Sequence, residues 1–250
     1  MEMTDQELQQ TLDGIAGATL ELTGTASKPT VPESNQTAFE FPQPWTEKYR
    51  PRDLGGFVGL ERVKKIMSAL IAAPKPSNWY FLGPSGMGKT TLAQAIAEMM
   101  PAQLHHVPAR ECTIDTVREL ARQCHYMPRI FETGKACKMH LVIVDEADQM
   151  TAPAQLAFLS LLDSACPLPN TIVIMTGNST ENLEPRFLSR VKLLEFSKHA
   201  VSDQIVSLLA RVWSLECPGA PTPNFARIVK DNANNVRGCL NDLEVEAMAL

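Results

Sequence analysis

The 250-residue chain contains no run of about 18 uncharged apolar residues, which excludes a membrane-spanning helix. Its start, Met1 to Leu12, is acidic and polar and lacks the basic patch and apolar stretch of a secretory signal. Paired cysteines are also missing. The six at positions 112, 124, 137, 166, 217 and 239 lie far apart in a chain long enough to bury a core, so reduced thiols are expected rather than a disulfide framework. Together these absences predict a soluble intracellular protein, cytoplasmic, or nuclear in a eukaryote, with no membrane partner.

A strong charge of one sign is missing from most of the chain as well. The formal net charge is -5, but residues 1–40 hold seven Asp/Glu against one Lys, leaving 22 Lys/Arg against 21 Asp/Glu over 41–250. The acidity belongs to the amino-terminal segment and does not exclude an anionic partner for the rest. Residues 1–44 read as a flexible acidic tail, because they mix Gly, Thr, Ser, Gln and Pro without a sustained apolar period, and Lys28 to Pro32 is a poor helix. Leu8, Leu12, Ile15 and Leu20 would line a short docking helix, but Gly14 and Gly17 oppose it by about 1 kcal/mol each. Disorder is the expectation.

From Trp45 onward strand and helix patterns alternate, which predicts an α/β fold with a parallel sheet sandwiched by helices. Strands are expected at 79–82, 103–107, 141–144, 171–175 and 192–196, and helices near 61–72, 89–100, 113–125 and 152–164. In the third helix Ile114, Val117, Leu120, Ala121 and Cys124 share a face, and Thr113 is placed to cap it. After Phe196 the pattern is helical only: 202–216, 224–233 and 235–249, with Ser202, Asn224 and Asn235 as caps. The expected division is a nucleotide-binding core over 45–197 and a small all-helical lid domain over 198–250.

Gly83-Pro84-Ser85-Gly86-Met87-Gly88-Lys89-Thr90 satisfies G-x-x-x-x-G-K-[ST], with a strand predicted before it and an amphipathic helix after it. The glycines let backbone NH groups turn toward a polyphosphate, and the helix start adds its positive end. Lys89 is expected at the β- and γ-phosphates and Thr90 on Mg²⁺, with Thr91 completing the nucleotide-binding set. About 50 residues later, Leu141-Val142-Ile143-Val144 reads as a strand buried on both faces, delivering Asp145 and Glu146 to the carboxyl edge of the sheet. Asp145 is expected to hold Mg²⁺ through water and Glu146 to act as general base. Asp148 and Thr151 would serve the competing role of capping the next helix.

Asn178, after a strand that reaches the same edge, is placed for the γ-phosphate or the attacking water, though an Asn after Gly is also a common turn former. Arg186 and Arg190 suit either a surface ion pair or the phosphate site of a neighbouring subunit. Arg237, in the first turn of the last helix, opposes the helix dipole by about 0.3–1 kcal/mol and so favours an anion nearby. Cys124-His125 and Cys137-Lys138-Met139-His140 match no strong zinc spacing. The mild basic surplus over 118–138 fits a nucleic-acid backbone or simply a solvated face.

Trp45-Thr46-Glu47-Lys48-Tyr49-Arg50-Pro51, then Leu54 to Gly59, resembles the N-terminal box of clamp-loader AAA+ ATPases, the replication factor C small subunits and their bacterial and phage relatives. The resemblance extends through the phosphate loop, Asp145-Glu146, Asn178, Ser189-Arg190 and Arg237. It implies that Tyr49, Arg50, Pro51 and Val58 border the adenine, that Asn178 is sensor 1, Arg190 a trans-acting arginine finger and Arg237 sensor 2. It further implies ATP and Mg²⁺ as cofactors, and homo- or hetero-oligomers built through the ATPase faces. In such assemblies ATP hydrolysis is coupled to remodelling of a sliding clamp or another DNA-bound partner in replication or repair. Three departures stand out: Val191 replaces the cysteine of the family's Ser-Arg-Cys, Leu159-Ser160 stands where eukaryotic small subunits carry a basic pair, and, with the lid expected to finish at Leu250, no helical collar of the family's kind is expected. Two alternatives remain open: a branch-migration motor or transposition regulator on the same core, and a non-hydrolysing ATP-bound scaffold, against which the intact Glu146 argues.

Overall fold

A continuous apolar run can lie in a sheet only if helices cover both faces, and the strands here meet that requirement. A computed structural model of the chain describes residues 42–126, 128, 138–163, 168–197 and 201–250. The expected tail up to residue 41, together with Cys137, Arg129 and Lys135, falls outside the described residues. Gln43–Leu250 forms one unit.

Five strands, β1 Ser77–Leu82, β2 Ala102–Pro108, β3 Met139–Asp145, β4 Thr171–Gly177 and β5 Lys192–Glu195, pair in the order β2-β3-β4-β1-β5, all parallel. The helices, in chain order, are α1 Trp45–Lys48, α2 Glu61–Ala72, α3 Lys89–Met99, α4 Ile114–His125, α5 Ala152–Leu162, α6 Pro185–Leu188, α7 Ser202–Glu216, α8 Phe225–Asp231 and α9 Val236–Met248.

Alternation along each strand divides the core in two. Phe81, Leu141, Ile143, Ile172 and Ile174 pack with Met67, Leu92 and Ile96 from α2 and α3 on one face. Tyr80, Val142, Val144, Val173 and Met175 pack with Val117, Phe158 and Phe187 from α4, α5 and α6 on the other. Each such side chain, taken fully out of water, contributes about 1.5–3 kcal/mol. A third cluster, Ile205, Leu209, Val212, Trp213, Val229, Cys239 and Leu243, is the core of the lid, and Trp45 of α1 packs into it. The N-terminal box is therefore shared between the predicted core and lid.

Several expected caps are present. Thr113 Oγ1 accepts from Thr116 N at 3.2 Å, Asn224 Oδ1 from Arg227 N at 3.0 Å and Asn235 Oδ1 from Gly238 N at 3.1 Å. Ser202 is not a cap: Val201 holds that position with α-helical angles, and the Ser202 hydroxyl donates to Asn234 Oδ1 at 3.0 Å. Nor do Asp148 and Thr151 cap α5. Thr151 occupies the cap position without a side-chain bond, and Asp148 Oδ2 accepts from Asn178 N at 3.3 Å.

Phe158 is 1% exposed at the centre of the second cluster. Phe158→Ala is expected to lower unfolding free energy by about 3–5 kcal/mol, read as a lower urea midpoint at unchanged slope.

Candidate nucleotide site

The strand register assembles the site. Leu82 stands opposite Gly177, and Val144 opposite Met175, so the loop beginning at Gly83, the end of β3 and Thr176–Asn178 converge at one edge. The phosphate loop turns where only glycine is comfortable: Gly86 and Gly88 have φ of +76° and +83°. At Gly86 a Cβ would meet Asn235 Oδ1 at 1.8 Å, so the cap of α9 lies directly on the loop. Lid and phosphate loop are thus in contact.

Lys89 opens α3 and is 8% exposed. Its Nζ donates to Gly83 O at 2.6 Å, Pro84 O at 2.9 Å and Asn178 Oδ1 at 3.1 Å. Desolvation lowers its pKa to about 8, and Arg237 pushes the same way against the opposing fields of Asp148, Asp145 and Glu146. A buried ammonium whose hydrogen bonds all go to neutral oxygens, with a second cation nearby, suits a polyphosphate.

Thr90 Oγ1 donates to Asp145 Oδ1 at 2.8 Å, which joins the two residues expected to hold Mg²⁺. Two further partners hold the same carboxylate, and neither was anticipated from sequence. Thr176 Oγ1 donates to Oδ1 at 2.9 Å, and His106 Nε2 lies 2.6 Å from Oδ2. Thr176 also accepts from Glu146 N at 3.2 Å. Their signal was a polar residue inside each strand at the end nearest the site. Thr176 interrupts an apolar run, and His106 falls on the face of β2 opposite to His105. This oxygen-rich group of Thr90 and Asp145 suits a hard divalent cation.

Glu146 is exposed and left-handed, with φ +56°. For a residue with a Cβ this costs on the order of 1–2 kcal/mol, a cost of the sort that concentrates at functional positions. Asp148 was missed as well. It anchors the Asn178 backbone, and its other oxygen is buried without a partner. Tyr49, Arg50, Pro51 and Val58 line a cleft of about 260 Å³ together with Gly86, Met87, Gly88, Thr91 and Arg237. Tyr49 OH donates to Glu216 Oε1, which also pairs with Lys48 at 2.6 Å, and burial with this contact pushes the Tyr49 pKa up to about 12. Pro84 and Ser85 are exposed on the loop.

Arg190 is not brought to this site. Lys192 pairs with Trp79 near the start of β1, so Arg190 lies by the opposite edge of the sheet from Gly83. Its guanidinium donates to Arg186 O at 2.9 Å and lies 3.6 Å from Asp163. At the position of the family's basic pair, Leu159 packs against the second core cluster and Ser160 Oγ donates to Ala157 O, so no cation faces outward there. On α4, Arg118 and Arg122 pair with Asp115 and Glu119, which accounts for the described basic residues of that helix.

A five-stranded parallel sheet with a phosphate loop at its carboxyl edge and a helical lid over the cleft defines a P-loop nucleotide-binding protein. The family described as "ATPase family associated with various cellular activities (AAA)" matches residues 79–198 of this chain. Replication factor C subunit 3 of Blastobotrys adeninivorans is 31% identical over 207 residues, covering 80% of this chain and 59% of that one. Replication factor C small subunit 2 of Pyrobaculum islandicum is 28% identical over 209 residues, covering 81% and 63%. The chain thus spans about three fifths of the length of these relatives. A solved structure of Thermotoga maritima RuvB, a Holliday junction branch migration motor, superposes with a TM-score of 0.62 at 21% identity over 78% of this chain and 64% of that one, a likeness of fold alone. No helix among the described residues is long and apolar enough to cross a membrane.

Gly86→Ala combines a left-handed strain of about 1–2 kcal/mol with the collision at Asn235. It is expected to weaken nucleotide binding by about tenfold or more while leaving the circular dichroism spectrum unchanged. Asn235→Gly in the same chain should recover part of the loss, as read by titration with a fluorescent ATP analogue.

Proposed function

We propose that the protein is a Mg²⁺-dependent ATPase subunit of clamp-loader type, which uses ATP binding and hydrolysis to remodel a sliding clamp or another DNA-bound protein. The observation that carries the ATPase reading is Lys89, buried and hydrogen-bonded to the phosphate loop and to Asn178 beside the Thr90–Asp145 pair. Similarity to replication factor C subunits over four fifths of the chain supports the clamp-loader reading.

When bound, MgATP supplies the phosphoryl group and the divalent charge that offsets it. The loop from Gly83 to Thr90 and the Lys89 ammonium hold the phosphates, and Arg237 adds charge from the lid. Thr90 and Asp145 would hold the metal, with Thr176 and His106 keeping the carboxylate oriented. Tyr49 to Pro51, Val58 and Thr91 enclose the base and sugar. Glu146, exposed beside this group, takes the proton of the attacking water while Asn178 orients it. Arg190, far from its own chain's site, neutralises charge in the site of an adjacent subunit.

Glu146→Gln is expected to bind ATP with little change and to lose turnover by about 10²–10⁴-fold. Undiminished phosphate release would remove Glu146 from the reaction. Turnover of the unaltered chain, with other clamp-loader subunits where needed, should rise with a sliding clamp plus primed DNA. A rise with four-way junctions and none with the clamp would place it instead among branch-migration motors.

A further inference from the structure

A second group of chemistry-bearing side chains lies away from the nucleotide site, on the other face of the sheet. His105 of β2, His140 of β3 and Cys124 of α4 bring one ligand atom each to within 4.8 Å of one another. Cys124 is fully buried, His140 is 1% exposed and His105 is partly buried on the edge strand. The sequence pattern had set Cys124 beside His125 and His140 beside Cys137. In the fold His125 turns away to Ala121 O at 2.7 Å, and His105, distant in sequence, takes its place.

The hydrogen bonds fix which nitrogens face inward. His140 Nε2 lies 2.9 Å from the Tyr126 carbonyl, which can only accept, so Nε2 carries the hydrogen. Its Nδ1 lone pair then faces His105 Nε2 at 2.9 Å. A ring nitrogen oriented by a carbonyl on its far side is the arrangement that metal-bound histidines use. Burial, with the neighbouring His140, holds the His105 pKa below its ordinary value. Tetrahedral zinc, with Zn–N of about 2.0–2.1 Å and Zn–S of about 2.3 Å, sets its ligands roughly 3.3–3.6 Å apart, so the three atoms need shift by only about 1 Å.

We propose that His105, Cys124 and His140 form a binding site for a divalent transition metal of the zinc class, clipping the edge strand β2 to β3 and α4. Two imidazoles and one thiolate favour Zn²⁺ over Mg²⁺ or Ca²⁺ and leave a fourth position for water. On binding, the Cys124 thiol gives its proton to solvent, and the His105 hydrogen moves from Nε2 to Nδ1. The ion thereby replaces the N–H···N bond between the rings. Because His105 and His106 point to opposite faces of β2, this ion is separate from the one expected at Asp145.

The test uses the full chain, stripped with a chelator and titrated with Zn²⁺ or Co²⁺ alone, without nucleotide. The expected result is one equivalent bound with release of one proton, and a tetrahedral cobalt spectrum with thiolate-to-metal charge transfer. Cys124→Ser should abolish the charge-transfer band, and His105→Asn should weaken affinity by about tenfold or more. Cys124 lies in the core; if its variant fails to fold, the band and proton release of the unaltered chain together with His105→Asn decide the matter. Absence of saturable binding, or binding with the same affinity and spectrum in the folded variants, overturns the site and leaves a hydrogen-bonded histidine pair.

Discussion

The site depends on an ammonium group held out of water. Lys89 Nζ is tied to two carbonyls of its own loop and to Asn178, and burial lowers its pKa toward 8. An isolated cation in this position is costly unless an anion can join it. The loop's geometry follows from the same requirement: Gly86 and Gly88 take positive φ so that the chain can wrap the lysine, and Gly83 packs against Phe196, where a Cβ would come within 2.6 Å of the carbonyl. The sheet register then sets Asp145 and Asn178 beside that lysine. The fold thus concentrates positive charge from Lys89 and Arg237 opposite a carboxylate bound by two threonines and a histidine.

That carboxylate shows how a parallel sheet builds a polar site from apolar strands. Strands β3 and β4 are buried along nearly their whole length, and each changes character at its carboxyl end. Asp145 and Thr176 are the residues at which this happens, and they bond to each other. Thr176 also receives the amide of Glu146, which helps hold that residue in its left-handed conformation. One hydroxyl therefore links the orientation of a candidate metal ligand to that of a candidate base.

Much of this was legible in the residues. Four apolar residues ending in Asp145-Glu146 defined β3, and the glycine-lysine loop located the strand-to-helix turn, because both are local patterns with a single structural solution. Other features depended on tertiary register, which periodicity does not encode. His106 reaches Asp145 only because β2 pairs with β3 such that Pro108 lies opposite Asp145. Asp148 read as a helix cap because a carboxylate shortly before a helix usually serves there, yet its bond goes to Asn178, 30 residues away. Trp45 read as the start of the core, but its indole sits among Ile205, Trp213 and Leu243 in the lid.

The placement of Trp45 bears on how nucleotide occupancy reaches the lid. Residues 46–51 and 56–58 of the box line the cleft, and the same stretch is anchored to the lid by Trp45, by Tyr49 and Lys48 on Glu216, and by the Trp45 amide on Glu244 at 3.3 Å. Asn235, the cap of α9, rests on Gly86, and Arg237 in the first turn of α9 also lines the cleft. A ligand occupying the cleft would therefore press on the lid from two directions, through the box and through the start of α9. The lid has its own hydrophobic core, and α7, α8 and α9 pack on one another within it. Packed cores of this kind shift as units rather than deform continuously. A displacement at Gly86 or Tyr49 would thus reach α7 and α9 as a movement of the whole lid.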